Sequence, residues 1–284
     1  MDVHAAGLGS TEGKRILLDC GPSPRGWHRI ESFLRCPQLY AWRHVAANHT
    51  PPSQPLVLGS LTHIGLAHHY ARLREVQRRG DPDLYYGVHD AIDEAAARHG
   101  GLWLKLAPQV RETVGAYIAH YAEREHFKVL HVEELFHAEF NGWPFTARVD
   151  LVYEDAYGRV WLCDHKGTGY IEAKHPRFYS ISGQFLAYRW LGTGAYGDRF
   201  GGVVLNMVQW STPHKFERPP LDPAPALFAK FPQIVADAEA GIARIAAEGR
   251  KTEDWPAAAN ELTCVHRYGA CDYLEKCKWG TNLK

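Results

Sequence analysis

The sequence predicts an α/β fold, and three stretches of its 284 residues carry that prediction. Residues 145–153 are β-branched and aromatic, residues 154–158 are polar, and 159–163 are apolar again, the pattern of a β-hairpin. Most of 27–127 shows helical spacing of apolar residues. A helical segment at 178–191 then leads into an apolar run at 202–210 that reads as a further strand.

The hairpin ends in Asp164-His165-Lys166. Alternation along a strand points Asp164 and Lys166 to one face and Cys163 and His165 to the other. Asp150 lies on the partner run, where the twist of a hairpin brings its carboxylate beside Asp164. Two such carboxylates repel each other unless a cation joins them. A hard divalent ion held by oxygens, with a lysine close by, is suited to attack on phosphate. The plainer reading is a polar hairpin end with Lys166 paired to Asp164 in solvent, an arrangement of little energetic weight.

Composition sets outer bounds. With 45% hydrophobic and 12% aromatic residues the chain is of ordinary globular type. Lys+Arg and Asp+Glu both total 32, so any nucleic-acid contact must come from a local patch rather than a global field. No apolar run approaches the ~20 residues of a membrane span. Residues 1–14 lack the apolar core of a signal peptide, so a cytoplasmic protein is expected. In that reducing setting six cysteines point to metal ligation or simple burial.

Taken in order, residues 15–20 suggest a short strand and 21–26 a Pro/Gly loop. Residues 27–44 form an amphipathic helical segment with Ile30, Phe33, Leu34 and Tyr40 as core contacts, divided or kinked at Pro37. A long helix runs from Leu56 toward Arg79. Gly59 and His63 share one face, so the glycine would let a neighbour approach the imidazole. His68 and His69 lie close in sequence, and a histidine on an apolar helix face is usually a satisfied core residue. Two more helices span 90–99 and 108–127, separated by Gly100-Gly101, and read as a helical insertion. A strand at 129–140 carries Glu133, Glu134 and Glu139. Gly167-Thr168-Gly169 reads as a flexible turn. Gln184 and Tyr188, four apart on the 178–191 helix, can offer an amide and a phenol to a phosphate or to Lys166.

Gly59-x3-His63, Asp150, Asp164-x-Lys166 and Gln184-x3-Tyr188, in that order, resemble the RecB-type branch of the PD-(D/E)XK nuclease superfamily across about half the chain. The resemblance implies a restriction-endonuclease-like core, a central mixed sheet flanked by helices. It further implies that His63, Asp150 and Asp164 bind Mg²⁺ or Mn²⁺, with the backbone carbonyl of His165 as an added ligand. Lys166 would assist the attacking water, and Gln184 and Tyr188 would complete the site.

A proline-rich linker at 219–225 and a helical region at 226–248, with Pro232 in its first turn, precede Cys264, Cys271 and Cys277. Three thiolates need a fourth to close a tetrahedral or cubane site, and Cys36 supplies it from the other end. This arrangement resembles the iron–sulfur nucleases of the same superfamily, AddB-type subunits and CRISPR adaptation nucleases, and implies a structural [4Fe–4S] cluster, with zinc as the alternative occupant. The C-x6-C-x5-C spacing departs from the usual C-x2-C-x5-C and resembles phage-encoded members, which implies a phage or bacterial source. Cys20 and Cys163 are expected to be buried hydrophobes.

The expectation is therefore one nuclease domain over 1–284, with an N-terminal helical part (27–128), a catalytic core (129–210) and a C-terminal helix and clasp (219–284). It would be a metal-dependent DNA exonuclease or endonuclease, with DNA as substrate and a recombination or repair protein as a further partner. Arg35, Arg43, His44, Lys174, His175 and Arg177 are candidates for the DNA path. The rival readings are a non-catalytic DNA-binding subunit and a zinc-stabilised scaffold.

Overall fold

The computed structural model describes residues 15–48, 50–222, 224–266 and 269–280. The expectation about residues 1–14 lies outside them. α1 (Trp27–Arg35) stops where Cys36 turns extended, and Pro37 opens α2 (Pro37–Tyr40), where its missing N–H leaves no helical bond unmade. A π-turn over Ala41–Val45 follows. Ile30 and Tyr40 are buried as expected, but Leu34 is half exposed. Residues 15–20 form no strand; Ile16 makes a lone bridge to Tyr85.

α3 (Gln54–Arg78), α4 (Val88–His99) and α5 (Gly101–Tyr121) pack together on one face of a sheet. α5 begins well before Pro108, where the sequence predicted its start. A proline inside a helix frees the carbonyl four residues back. Here that is Leu104, whose half-exposed side chain marks a side of the helix open to water.

The sheet runs in the order β1 (Lys128–Phe140), β2 (Trp143–Glu154), β3 (Val160–Thr168), β4 (Phe200–Gln209), β5 (Phe216–Glu217). All neighbours are antiparallel except β3 and β4, so the sheet is mixed. Parallel neighbours need a crossover. It is made by α6 (His175–Ser180) and α7 (Gly183–Tyr196), two helices where the sequence suggested one. α7 covers the second face of the sheet with α1 and with α8 (Pro225–Ala247), around Phe145, Leu162, Leu205 and Phe231. The mixed sheet flanked by helices is the expected fold.

Two details of the C-terminal part differ from expectation. The segment around 219–221 is no free linker: Leu205 N–H donates to the Pro219 carbonyl at 3.0 Å and Leu221 N–H to the Val203 carbonyl at 2.9 Å, and Leu221 is buried. Pro225 rather than Pro232 opens α8, and Pro232 lies within it. The last described elements are α9 (Glu261–Cys264), the short pair β6 (Val265–His266) and β7 (Gly269–Ala270), and α10 (Leu274–Trp279). No helix among the described residues is long and apolar enough to cross a membrane.

Candidate active site

The hairpin ladder between β2 and β3 runs from Glu154↔Val160 to Leu151↔Cys163 and stops. The next rung would join Asp150 to Asp164. Instead the Asp150 carboxylate accepts the main-chain N–H of His165 at 2.7 Å, a side chain taking the place of a backbone partner. β3 continues past this point because β4 supports it from the other side, through Asp164↔Leu205, His165↔Asn206 and Lys166↔Met207. The two strands thus part at their acidic residues.

Three groups converge on the gap. His63, on α3, sets Nδ1 3.2 Å from Asp150 Oδ2. Glu133, on β1, is flanked by the rungs Val132↔Leu151 and Glu134↔Val149, which puts it opposite Asp150. Its φ of +52° is the left-handed region, unusual for a side chain of this size within a strand. Ligand atoms of His63, Glu133 and Asp150 all lie within 4.8 Å of one another. Glu133 Oε1 is buried with no hydrogen-bond partner. Among the described residues this compact group contains Glu133, where the sequence had grouped Asp164 with His63 and Asp150.

Asp164 faces another set of partners. Its Oδ2 is 2.6 Å from Lys166 Nζ, and its Oδ1 accepts from Gln184 Nε2 at 2.7 Å. Lys166 also donates to Gln184 Oε1 at 2.9 Å. The Tyr188 hydroxyl lies 2.9 Å from Asp164 Oδ1 and 2.6 Å from the Arg148 carbonyl. Gln184 and Tyr188 meet because they sit one turn apart on α7.

Ionisation follows from these neighbours. Burial would lower the His63 imidazole, but Asp150 beside it raises it to about 9. Burial would likewise raise Asp150, yet the charges on His63 and Lys166 hold its carboxyl below the usual range. Glu133 is pushed well up by burial and then by Asp150. Asp164 is raised by burial against the opposing pull of Lys166. The Lys166 ammonium is favoured, since Asp164 and Asp150 outweigh its desolvation. Burial pushes His165 down to about 3, leaving a neutral ring.

The site lies in a cavity of about 640 Å³ bounded by the loop at 20–23, Trp27 and Glu31 of α1, and the start of α3. Glycines shape it in ways that differ from expectation. A side chain at Gly59 would meet nothing within 4 Å, so this residue opens space in the pocket and brings no neighbour to His63. Gly167 and Thr168 belong to β3 and form no turn. A Cβ at Gly167 would fall 2.1 Å from the Trp210 indole, whose N–H reaches Thr62 on α3. Cys20 is only partly buried and lines the pocket near Glu133, so it is no simple core residue; burial raises its thiol. Cys163 is buried. His68 is a satisfied core residue between Leu18 N–H and the Tyr86 carbonyl, and His69 faces Glu125.

The cysteines expected to share a cluster lie where residues 35–48 meet residues 258–277. Tyr273 stacks on Trp42 and donates to the Asn48 carbonyl at 2.6 Å, while Arg43 pairs with Asp272 at 2.9 Å. Arg35 donates to the Thr263 carbonyl at 2.7 Å. Cys36 is buried and accepts the Ala258 N–H at 3.4 Å; Cys277 is exposed. Burial raises the Cys277 thiol, and Cys271, Cys36 and Cys264 add to the rise. Arg35 and Arg43, expected on a DNA path, are thus engaged at this junction. His44 packs against Tyr40, and Lys174 pairs with Glu172. Arg177 is exposed on α6.

Two solved structures resemble this one loosely. One is a chain from Eubacterium rectale provisionally described as an exonuclease, with a TM-score of 0.48 and 13% identity over 90% of this chain and 88% of the other. The other is SSO0001, with a TM-score of 0.31 and 11% identity over 75% of this chain and 85% of that one. No curated protein matches. The model of the PD-(D/E)XK nuclease superfamily, by contrast, matches residues 27–278, nearly the whole chain, and the protein belongs to that superfamily.

Proposed function

We propose that the chain is one nuclease domain that hydrolyses DNA phosphodiester bonds with a divalent ion, working from strand ends. The observation that carries this is the compact, largely buried group of His63, Glu133 and Asp150 beside the Lys166–Asp164 pair. Glu133 offers a buried oxygen without a hydrogen-bond partner, and a bound cation would favour its ionised form. The imidazole in the set favours Mn²⁺ over Mg²⁺.

His63, Glu133, Asp150 and Asp164, with the His165 carbonyl, would hold the ion. When bound it neutralises charge on the phosphate and acidifies water. Lys166 keeps its ammonium beside that place, where it orients the attacking water and balances charge in the transition state. Gln184 and Tyr188 hold Asp164 and Lys166 in register. The exonuclease reading takes the cavity lined by Asp164 and Asp150, which are 1% and 6% exposed, as the seat of a strand end.

The same reading places a structural [4Fe–4S] cluster on Cys36, Cys264, Cys271 and Cys277. Its support is the meeting of these two segments and the cations Arg35, Arg43 and Lys276 around it, suited to an anionic centre. When bound, the cluster would tie the segments covalently. The six cysteines are unpaired, which fits a cytoplasmic protein.

The test is cleavage of end-labelled single- and double-stranded DNA with Mn²⁺, Mg²⁺ or chelator, alongside iron, sulfide and zinc content of anaerobically purified protein. Metal-dependent shortening from an end is expected. DNA binding without cleavage would instead mark a non-catalytic subunit of a recombination or repair complex. Zinc without sulfide would replace the cluster.

A further inference from the structure

Behind the carboxylates, on the α3–α5 face of the sheet, lies a buried polar network that the proposed chemistry does not use. Asn206, wholly buried on β4, stands beside His165 in the parallel register and places Nδ2 2.7 Å from its Nδ1. Arg218 Nε donates to Asn206 Oδ1 at 3.1 Å. The same guanidinium reaches Glu125 and the hydroxyls of Tyr70 and Tyr117, and lies 3.6 Å over the Tyr121 ring.

Donor and acceptor rules fix the direction of the contacts that reach His165. Arginine only donates, so Asn206 must turn its oxygen to Arg218 and its amide nitrogen to His165 and to Tyr117 OH, 2.8 Å away. Tyr117 then accepts twice and gives its own proton to Tyr70 at 2.9 Å; Tyr70 donates to Glu125 Oε1 at 2.7 Å. His165 Nδ1, facing an amide donor, must carry a lone pair. Its ring is therefore the Nε2–H tautomer, held flat against Tyr70 at 5.8 Å. These contacts hold the ring through Nδ1 alone, since among the described residues its buried Nε2 has no hydrogen-bond partner, so Asn206 is its one side-chain anchor.

We propose that Asn206, oriented by Arg218, is a positioning residue for the metal site. It anchors the His165 ring, and through that residue the main-chain N–H that turns Asp150 toward His63 and Glu133. This rests on reading those three side chains as ligands, and outer partners of ligands commonly set metal affinity.

The test begins with metal-free wild-type protein labelled with ¹⁵N at histidine. His165 should give the signature of a single Nε2–H tautomer; an Nδ1–H ring would overturn the proposal without any variant. Asn206→Leu keeps the volume but removes the anchor, and should weaken Mn²⁺ binding, titrated calorimetrically, by about tenfold. Asn206→Asp can still hold the ring, as acceptor from Nδ1–H and partner of Arg218, so it should invert the tautomer and restore most of the affinity. Val235→Ala, buried in the opposite core, serves as a destabilised control that should leave Mn²⁺ binding unchanged. Wild-type affinity in Asn206→Leu, or a loss that merely follows melting temperature across the variants, would refute the positioning role. Absence of Mn²⁺ binding by wild type would instead overturn the ligand reading beneath it.

Discussion

In the pocket, each of Asp150, Asp164 and Lys166 is answered by a neighbour supplied by a strand or helix. Asp150 has His63 and a backbone N–H; Asp164 and Lys166 have each other and Gln184. At the junction of residues 35–48 with 258–277 the reverse holds. Stacking of Tyr273 on Trp42 and the Arg43–Asp272 pair bring the segments together, while Cys277 stays exposed. The pocket stores its organisation in the fold and keeps one carboxyl oxygen, Glu133 Oε1, without a hydrogen-bond partner. The junction would draw its organisation from what it binds. Substitutions in the first region should therefore damage chemistry more than stability, and those in the second should damage stability first.

The largest effect should come from the junction. Cys36→Ser removes a ligand that would close a loop of roughly 230 residues, and chain-entropy reasoning by analogy with disulfides puts such a crosslink at about 5 kcal/mol. Loss of iron, a lower melting temperature and poor solubility should appear together, whereas Cys163→Ser should keep the iron. Full iron content in Cys36→Ser would remove the contrast between the two regions.

Lys166→Ala is the counterpart in the pocket. Cleavage should fall about 10³-fold with DNA binding retained, because an ammonium that acts on developing charge matters mainly in the transition state. A rate near wild type on end-labelled DNA would break the assignment.

Glu133→Gln sharpens the comparison further. Burial raises this carboxyl, so its ionised form costs the metal-free fold free energy, and the amide should melt at the same temperature or higher. Mn²⁺ affinity should nonetheless drop about 10- to 100-fold. A parallel loss of stability and affinity would mean that Glu133 is structural.

The smallest effect is a pH dependence. His63 is raised from 6.5 to about 9 in the metal-free protein, so the protonated ring stabilises the fold fully below about 6.5 and that stabilisation is lost as pH rises through about 9. Melting of metal-free wild type compared with His63→Ala should show the difference shrinking across this window. Mn²⁺ must displace that proton, so its affinity should climb by up to about tenfold per pH unit over the same range. A flat profile would show that His63 does not titrate with the site.

Much of the frame was legible because it rests on short-range pattern. The alternation of 145–153 and 159–163 announced the hairpin, and the four-residue step from Gln184 to Tyr188 announced a shared helix face. Glu133 was not legible as part of the site. It is one of three glutamates on β1, and only pairing with β2 and its left-handed backbone turn it toward Asp150. Gly167 read as a turn because glycine signals flexibility in one dimension; in three it makes room for an indole from β4's far end. Pro108 and Pro232 read as helix starts, yet both lie inside helices whose apolar faces are buried against neighbours. Local preference was outweighed there by packing.

The open ground in front of Gly59 has a practical consequence. Side chains of graded size placed there would narrow the cavity from α3 without displacing any protein atom at the first carbon. A series from alanine through valine to phenylalanine becomes a caliper for whatever passes beneath the helix. A cysteine at the same position would offer a tether for a fluorophore that reports occupancy as it happens.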